Sequence, residues 1–551
     1  MGSSMTWWHS LTSTEIAIAE VNVYLRRGEQ IEVYFASLDS RNPKSLAEHT
    51  GPGIAMEWLE TEGLLQINTH LHPFFGDMPI AVWTPSSGLL SPPAPIEIHK
   101  TGKRALAAAN EKAQRYMVIS KEPIKDAKRL LSHFMERAFR RPVPTEEVDR
   151  YLKLVQAKLD TKHCFQEALK TGLKAVLCSP DFLFLQESPG VLDDYAIASR
   201  LSYFLWSSLP DKTLLDFAKS GRLRERSVLN QQTERMLNDP KARRFTENFT
   251  GQWLGLRDIR ATEPDEQLYP EFNELLLDSM VAETRAYFDE MLTKDLGISH
   301  VMDSDFAMVN GPLARLYGIE GVEGLNIRRV ALPSESVRGG FLTQASVLKV
   351  SANGTTTSPV TRGAWFLSHL LGRPPAPPPP NTPAIEPDVR GTTTIREQLA
   401  AHRSNASCAA CHAKIDPPGF ALENFDVMGG YRDRYRSLGE GDKVEATYLG
   451  KPVDYRLGPF VDASGNLYDE ESFEDIHGFR EQMLNDQRQI ARNLAEKLLI
   501  YATGAGIQFS DREDIELILV RSENKVRSEN KKFGLRTLIQ HVVQSRPFLQ
   551  K

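Results

Sequence analysis

Residues 123–159 read PIKDAKRLLSHFMERAFRRPVPTEEVDRYLKLVQAKL, and the spacing of their apolar side chains decides the fold class. Ala127, Leu130, Leu131, Phe134 and Ala138 recur on a 3.6-residue period, and the run stops before Pro142, which has no N–H to continue a helix. A second period opens at once: Thr145 is placed to cap a helix whose buried stripe is Val148, Leu152 and Val155. A third follows in HCFQEALKTGLKAVLCSP, residues 163–180. The same style continues through 193–318, where Phe245, Phe249 and Trp253 recur at i, i+4 and i+8. Aromatic rings at that spacing bury large areas against one another and are read as core. Farther on, RQIARNLAEKLLIYATGAG (488–506) places Ile490, Leu494, Leu498 and Tyr501 on one face and ends at Gly504, a C-terminal cap.

Working outward, the first stretch differs. AEVNVYLRRGEQIEVYFASLDS (19–40) and PGIAMEWLETEGLLQI (52–67) alternate apolar and polar residues between Gly, Pro and Asp breakers, which predicts strands of a small, incomplete sheet. LGRPPAPPPPNTP (371–383) reads as an extended polyproline strap. Behind it, TTTIREQLAAHRSN has Thr394 as N-cap and Glu397 three residues on, a capping box opening a short helix. RSENKVRSENK (521–531) repeats a polar pentapeptide with no apolar face and reads as a solvated surface.

Composition excludes several functions. Of 551 residues, 41% are hydrophobic and 25% charged, the proportions of ordinary globular protein. That length implies roughly three or four domains. The net charge of −6 offers no field for a phosphate backbone, so no nucleic-acid partner is expected. No window reaches the roughly 18 apolar residues that would span a bilayer, and the opening MGSSMTWWHSLTS lacks the basic and apolar regions of a signal peptide. Neither a Gly-x-x-x-x-Gly-Lys, a Gly-x-Ser-x-Gly nor a His-Glu-x-x-His pattern occurs. DASGN and DSD lack the full ligand spacing of calcium loops and read as turns. Of the four cysteines, Cys164 and Cys178 lie 14 residues apart in one predicted helix, about 21 Å at 1.5 Å per residue, too far to bridge. Both are expected to be buried core thiols.

The other two cysteines stand in SNASCAACHAKIDPPGFALENFD, residues 404–426. With four cysteines and 13 histidines in the whole chain, Cys-x-x-Cys-His arises by chance roughly once in a thousand such sequences. Three chemistries use the spacing: thioether attachment of haem, a dithiol redox pair, and half of a zinc site. Zinc lacks a matching second pair of ligands. A thioredoxin-like dithiol belongs at the start of a helix after a strand, whereas here a helix leads in and AKIDPPG leads out. Haem suits the surroundings: one helical turn brings Cys408 and Cys411 to one side and aims His412 at an iron. A backbone carbonyl from Asp416, Pro417 or Pro418 is then expected to accept the second imidazole N–H. Met428 is the nearest thioether and the candidate distal iron ligand, with His402, His477 and Met483 behind it. Tyr431, Arg432, Arg362 and Trp365 are candidates to meet the haem propionates, against an alternative role in packing.

CAACHAKIDPPGFALENFDVMGGYR resembles the haem-attachment segment of the large planctomycete-type cytochromes, assembled from a series of domains of unknown function. The resemblance extends in order through RAFRRPVPTEEVDRYL, LSYFLWSSLPDKTLLDFAKSGRL, RGGFLTQASVLKVSANGTTTSPVTRGAWFLSHLLGRPPAPPPPN, DASGN and AEKLLIYATG. It implies an exported, periplasmic or otherwise extracytoplasmic protein, one haem c held by Cys408, Cys411 and His412, and electron transfer with a redox protein partner. Complete members also carry a signal peptide and a separate N-terminal cytochrome segment that this chain lacks, and RSLGEGDKVEATYLGKPVDYRLGPF (436–460) resembles a connecting loop of variable length. The expected fold is mainly α and multi-domain, a helical body with a small N-terminal β-rich domain (a partial β-sandwich) and a C-terminal cytochrome-c-like helical region. The expected divisions are a β-rich 1–100, helical domains at 101–188 and 189–320, a haem-attachment domain at 321–436 with its Pro-rich strap at 373–383, a connecting loop at 437–470, and a helical 471–551. Two other activities fit the same site: a haem-dependent oxidoreductase of peroxidase or dehydrogenase type, acting on a small molecule or polysaccharide, and a scaffold whose haem is structural.

Overall fold

The structure, a computed structural model, describes residues 78–90, 116–377, 394–403, 406–448, 450–467, 471–524 and 532–551. The strands expected at 19–40 and 52–67 and the second copy of the RSENK repeat lie outside the described residues, as does most of the polyproline strap.

The chain divides into two compact units. The first comprises the described residues up to Glu187 together with Leu209–Asp216. Its body is three helices, α1 (Pro123–Phe139), α2 (Thr145–Asp160) and α3 (Phe165–Leu177), preceded by an antiparallel pair of three-residue strands, Ile80–Val82 with Tyr116–Val118. The periodicity of α1 holds: Ala127, Leu130, Leu131 and Ala138 are buried against Val148, Val155, Ala168, Leu169 and Val176, with Phe134 and Leu152 packed at the margin. Gly172 lets α3 approach α2, because a Cβ there would meet Val155 at 2.8 Å. Two expectations need correction. The N-cap of α2 is Pro144, in extended backbone, one residue before the predicted Thr145, which is itself the first helical residue; no side chain caps the helix. Cys164 is buried, but Cys178 is exposed; they flank α3 as its two caps, and the C-cap faces water.

The second unit comprises Ser188–Ser208 and Phe217–Lys551. Helices α4 (Asp194–Trp206), α5 (Arg226–Leu237), α6 (Arg243–Trp253) and α7 (Glu274–Lys294) build its first part. The aromatic stripe of α6 is core: Phe245 and Phe249 stack at 5.4 Å, Phe249 and Trp253 at 5.6 Å, and Phe204, Phe288 and Tyr501 close around them. Tyr501 comes from α11 (Gln487–Thr503), which ends at Gly504 in the left-handed conformation, as its sequence predicts. The chain terminus is tied in by Arg200, whose Nη1 donates to the carbonyls of Pro547, Phe548 and Gln550.

Between these parts lie α8 (Pro359–His369), α9 (Ile395–His402) and α10 (Ala406–Phe420). The segment resembling a loop at 436–460 instead forms strands: Arg434–Ser437 and Asp442–Lys443 flank Arg456–Phe460 in a three-stranded antiparallel sheet, and Thr447–Tyr448 pairs with Lys451–Pro452. These strands are two to five residues long, too short to show a period of two in sequence. The molecule is mainly helical with several small sheets. Among the described residues, no helix is long and apolar enough to cross a membrane.

Candidate cofactor-attachment site

The site is built on α10. The predicted capping box delivers the chain to it: the Thr394 N–H donates to Glu397 Oε2 at 2.7 Å while the Glu397 N–H donates to Thr394 Oγ1 at 3.2 Å, starting α9. In α10 the positions 408, 411 and 412 fall on one face of a single helical stretch. Cys411 is exposed and the His412 side chain beside it is 12% exposed, so this face reaches solvent at Cys411. AKIDPPG does not lead out of the helix as expected; α10 runs through Pro417 and Pro418 to Phe420. Two prolines deprive the carbonyls of Ala413 and Lys414 of their donors four residues on, so this continuation needs tertiary support.

That support comes from α8. A Cβ on Gly363 would meet the Ile415 carbonyl oxygen at 1.7 Å, and one on Gly419 would meet the Pro359 oxygen at 1.9 Å. The two helices therefore cross backbone to backbone, in a manner only glycine permits. Next to Gly363 in sequence, Arg362 is fully buried and gathers the chain after α10: Nη1 donates to the carbonyls of Leu422 (2.6 Å) and Phe425 (2.5 Å), and Nη2 to that of Asp426 (2.7 Å). Burial pulls the Arg362 guanidinium down to about 10, opposed by the charge of Glu423. Glu423 is itself wholly buried, 4.0 Å from Arg362 and 3.6 Å from Arg432, and accepts from Thr357 and Tyr435.

The imidazole of His412 is held from the same helix. Its Nδ1 lies 2.8 Å from Oδ1 of Asp416, one turn on, and the Asp416 side chain is wholly buried. Arg403, just beyond α9, places Nη1 3.7 Å from Asp416 Oδ2. An ionised carboxylate can only accept, so the proton of this bond sits on Nδ1; in the neutral imidazole that leaves the lone pair on Nε2, the nitrogen a metal takes. The expected acceptor was a backbone carbonyl of Asp416, Pro417 or Pro418; the structure supplies the Asp416 side chain, because helical continuation directs those carbonyls along the helix axis and leaves the i+4 carboxylate beside the ring. Helix positions 408, 411 and 412 on one face of α10, with the imidazole held at Nδ1, fit a covalently held haem.

The remaining sequence candidates have these surroundings. Met428 is fully buried in an apolar cluster with Leu276, Met280, Ala345 and Val427. Arg432 is committed internally, to the Glu423 carbonyl at 3.1 Å and Thr357 Oγ1 at 2.7 Å, and Trp365 Nε1 donates to the Leu254 carbonyl. Arg362, Trp365 and Arg432 thus have the packing role that was the alternative to propionate binding. Tyr431 is half exposed, its ring edge-on to Phe425 at 5.7 Å. Pro417 is buried in α10. In the DASGN turn, Asp462 accepts from Ser464 and pairs with Arg396.

Comparison with known families places four consecutive matches along the chain, each to a family described as a protein of unknown function: DUF1595 over residues 126–187, DUF1592 over 192–319, DUF1588 over 338–435 and DUF1585 over 469–548. This serial arrangement is typical of planctomycete cytochrome-like multi-domain proteins. The DUF1588 match, which carries the label PSCyt3, contains α8, α10 and the Cys-x-x-Cys-His segment. No curated protein and no solved structure matches the chain.

Proposed function

We propose that this chain is a c-type cytochrome that carries one haem, bonded through Cys408 and Cys411 and ligated by His412, and transfers electrons in an extracytoplasmic pathway to or from a redox protein. The observation that supports this reading is the face of α10 on which those three positions coincide, with the His412 Nδ1 proton held by a buried carboxylate. When bound, the group supplies a one-electron iron couple. The protein's part is positional: α10 sets sulfur and imidazole spacing, and the Gly363–Gly419 crossing with Arg362 anchors that helix. Surface exposure of Cys411 puts the attachment edge where a partner protein can approach.

A second reading, a haem-dependent oxidoreductase, draws on Met428, whose side chain is engaged in the apolar cluster and so is occupied in packing. Spectra of protein matured in cells that attach haem separate the two. A six-coordinate iron inert to peroxide and cyanide supports the carrier; a five-coordinate iron that binds them supports the enzyme and overturns simple electron transfer.

A further inference from the structure

The acceptor at His412 differs in kind from the neutral carbonyl its sequence leads one to expect. Asp416 is wholly buried, yet it accepts from an imidazole at 2.8 Å and has an arginine 3.7 Å from its other oxygen. A surface i,i+4 pair would leave its carboxylate in water; here the carboxylate is removed from water, which is costly unless its partners offset the loss. A hydrogen bond to an ionised acceptor is also shorter and stronger than one to a carbonyl, and a ligating imidazole that donates to a carboxylate becomes a more basic ligand.

We propose that Asp416 is a positioning residue for the iron ligand: through His412 Nδ1 it gives the imidazole anionic character that favours iron(III) over iron(II), and Arg403 tempers that push by sharing the carboxylate's charge. This rests on the haem reading above. The couple is one electron, taken from or given to the redox partner, with the Nδ1 proton retained between His412 and Asp416 in both states. The elements that fix the geometry are on the page: the i+4 register of α10 sets the Asp416–His412 contact, and the capped helix α9 presents Arg403, whose guanidinium also lies 5.9 Å from the Phe420 ring centroid at the end of α10. Asp416 is held within α10 and Arg403 in the turn that follows α9, so the charge on the ligand can be altered from either side.

The test is a redox titration of the full chain, matured with covalent haem, as wild type and as Asp416→Asn and Arg403→Gln. Asn keeps the shape and can accept through its oxygen but carries no charge. Asp416→Asn is expected to shift the equilibrium at least tenfold toward iron(II), about 59 mV upward for one electron. Arg403→Gln, at a side chain one-third exposed, is expected to shift the potential the other way, and it keeps the proposal testable if Asp416→Asn fails to fold. A matured Asp416→Asn protein whose potential rises by less than about 59 mV, or an Arg403→Gln protein whose potential is unmoved or rises, overturns the inference. A wild-type chain that carries no covalent haem overturns the underlying reading instead, so the two failures are distinct.

Discussion

Replacing Gly363 by alanine would place a methyl group 1.7 Å from the Ile415 carbonyl oxygen, and replacing Gly419 would place one 1.9 Å from the Pro359 oxygen. Both obstacles are backbone, so neither can swing aside; the helices must part. Ordinary contact begins near 3.4 Å, so the helices must part by about 1.5–1.7 Å. A retreat of that size also stretches the Arg362 bonds that now measure 2.5–2.7 Å. Overpacking costs about 1–3 kcal/mol, and misaligning one hydrogen bond from a charged group costs about 1.5–3 kcal/mol. Against this, alanine gains about 1 kcal/mol over glycine as a helix former. The net loss expected for Gly363→Ala or Gly419→Ala is about 1.5–5 kcal/mol by that reckoning. Gly251→Ala is the control: it lies inside α6, its added methyl meets only Arg257 at 3.6 Å, and it should be neutral or stabilising by up to about 1 kcal/mol. Urea unfolding followed by circular dichroism reads all three through the midpoint at constant slope. The double variant should lose less than the sum of its parts, since helices already parted have room for a second methyl. If Gly363→Ala and Gly419→Ala track Gly251→Ala, the backbone crossing is not what holds α10.

Other expectations follow from single groups. Burial pushes the Glu283 carboxyl up to about 8, against the opposing Tyr317 hydrogen bond and Arg338 charge. Below about 4.5 both folded and unfolded chains keep its proton; between there and about 8 only the unfolded chain releases it, so stability is lost as pH rises through that window. Glu283→Gln should therefore flatten the fall in Tm between pH 5 and pH 8, and an unchanged slope in differential scanning calorimetry would contradict this. Arg362→Met leaves the wholly buried Glu423 without one of its two guanidinium neighbours and removes the bonds that Arg362 donates to the carbonyls of Leu422, Phe425 and Asp426; a loss of about 3–5 kcal/mol is expected, and a midpoint shift worth under about 1 kcal/mol would show the network to be dispensable. Thr394→Ala removes one half of the capping box and should cost about 0.5–2 kcal/mol, read as faster amide exchange in residues 395–402 with the exchange of α11 unchanged; equal protection would show that α9 is held by other contacts.

The helical body was legible because periodicity and burial are two views of one constraint. The stripe of α1, the aromatic run of α6 and the left-handed cap at Gly504 each announce themselves over ten or more residues. The capping box at Thr394 was equally plain, since its two partners stand three apart in sequence. Hidden were features whose partners are remote: Gly363 and Gly419 lie 56 positions apart and signal nothing alone, and Glu423 looks like any acidic residue until Arg362, Thr357 and Tyr435 surround it. Continuation of α10 through two prolines runs against local propensity, and a tertiary clamp overrides it. The short strands of 434–460 fall below the length at which alternation can be read. At the site, the His412–Asp416 spacing of four was in view, but whether side chain or backbone would accept depended on the helix continuing.

The central claim is that α10 bears a covalently attached haem, and the most direct measurement is mass spectrometry of the proteolytic peptide containing residues 408–412 from protein matured with haem attachment, alongside the pyridine haemochrome spectrum. The account predicts one haem mass on that peptide, retained through acid–acetone extraction and lost when Cys408 and Cys411 are both replaced by serine. An unmodified peptide from a folded, correctly matured chain would contradict it.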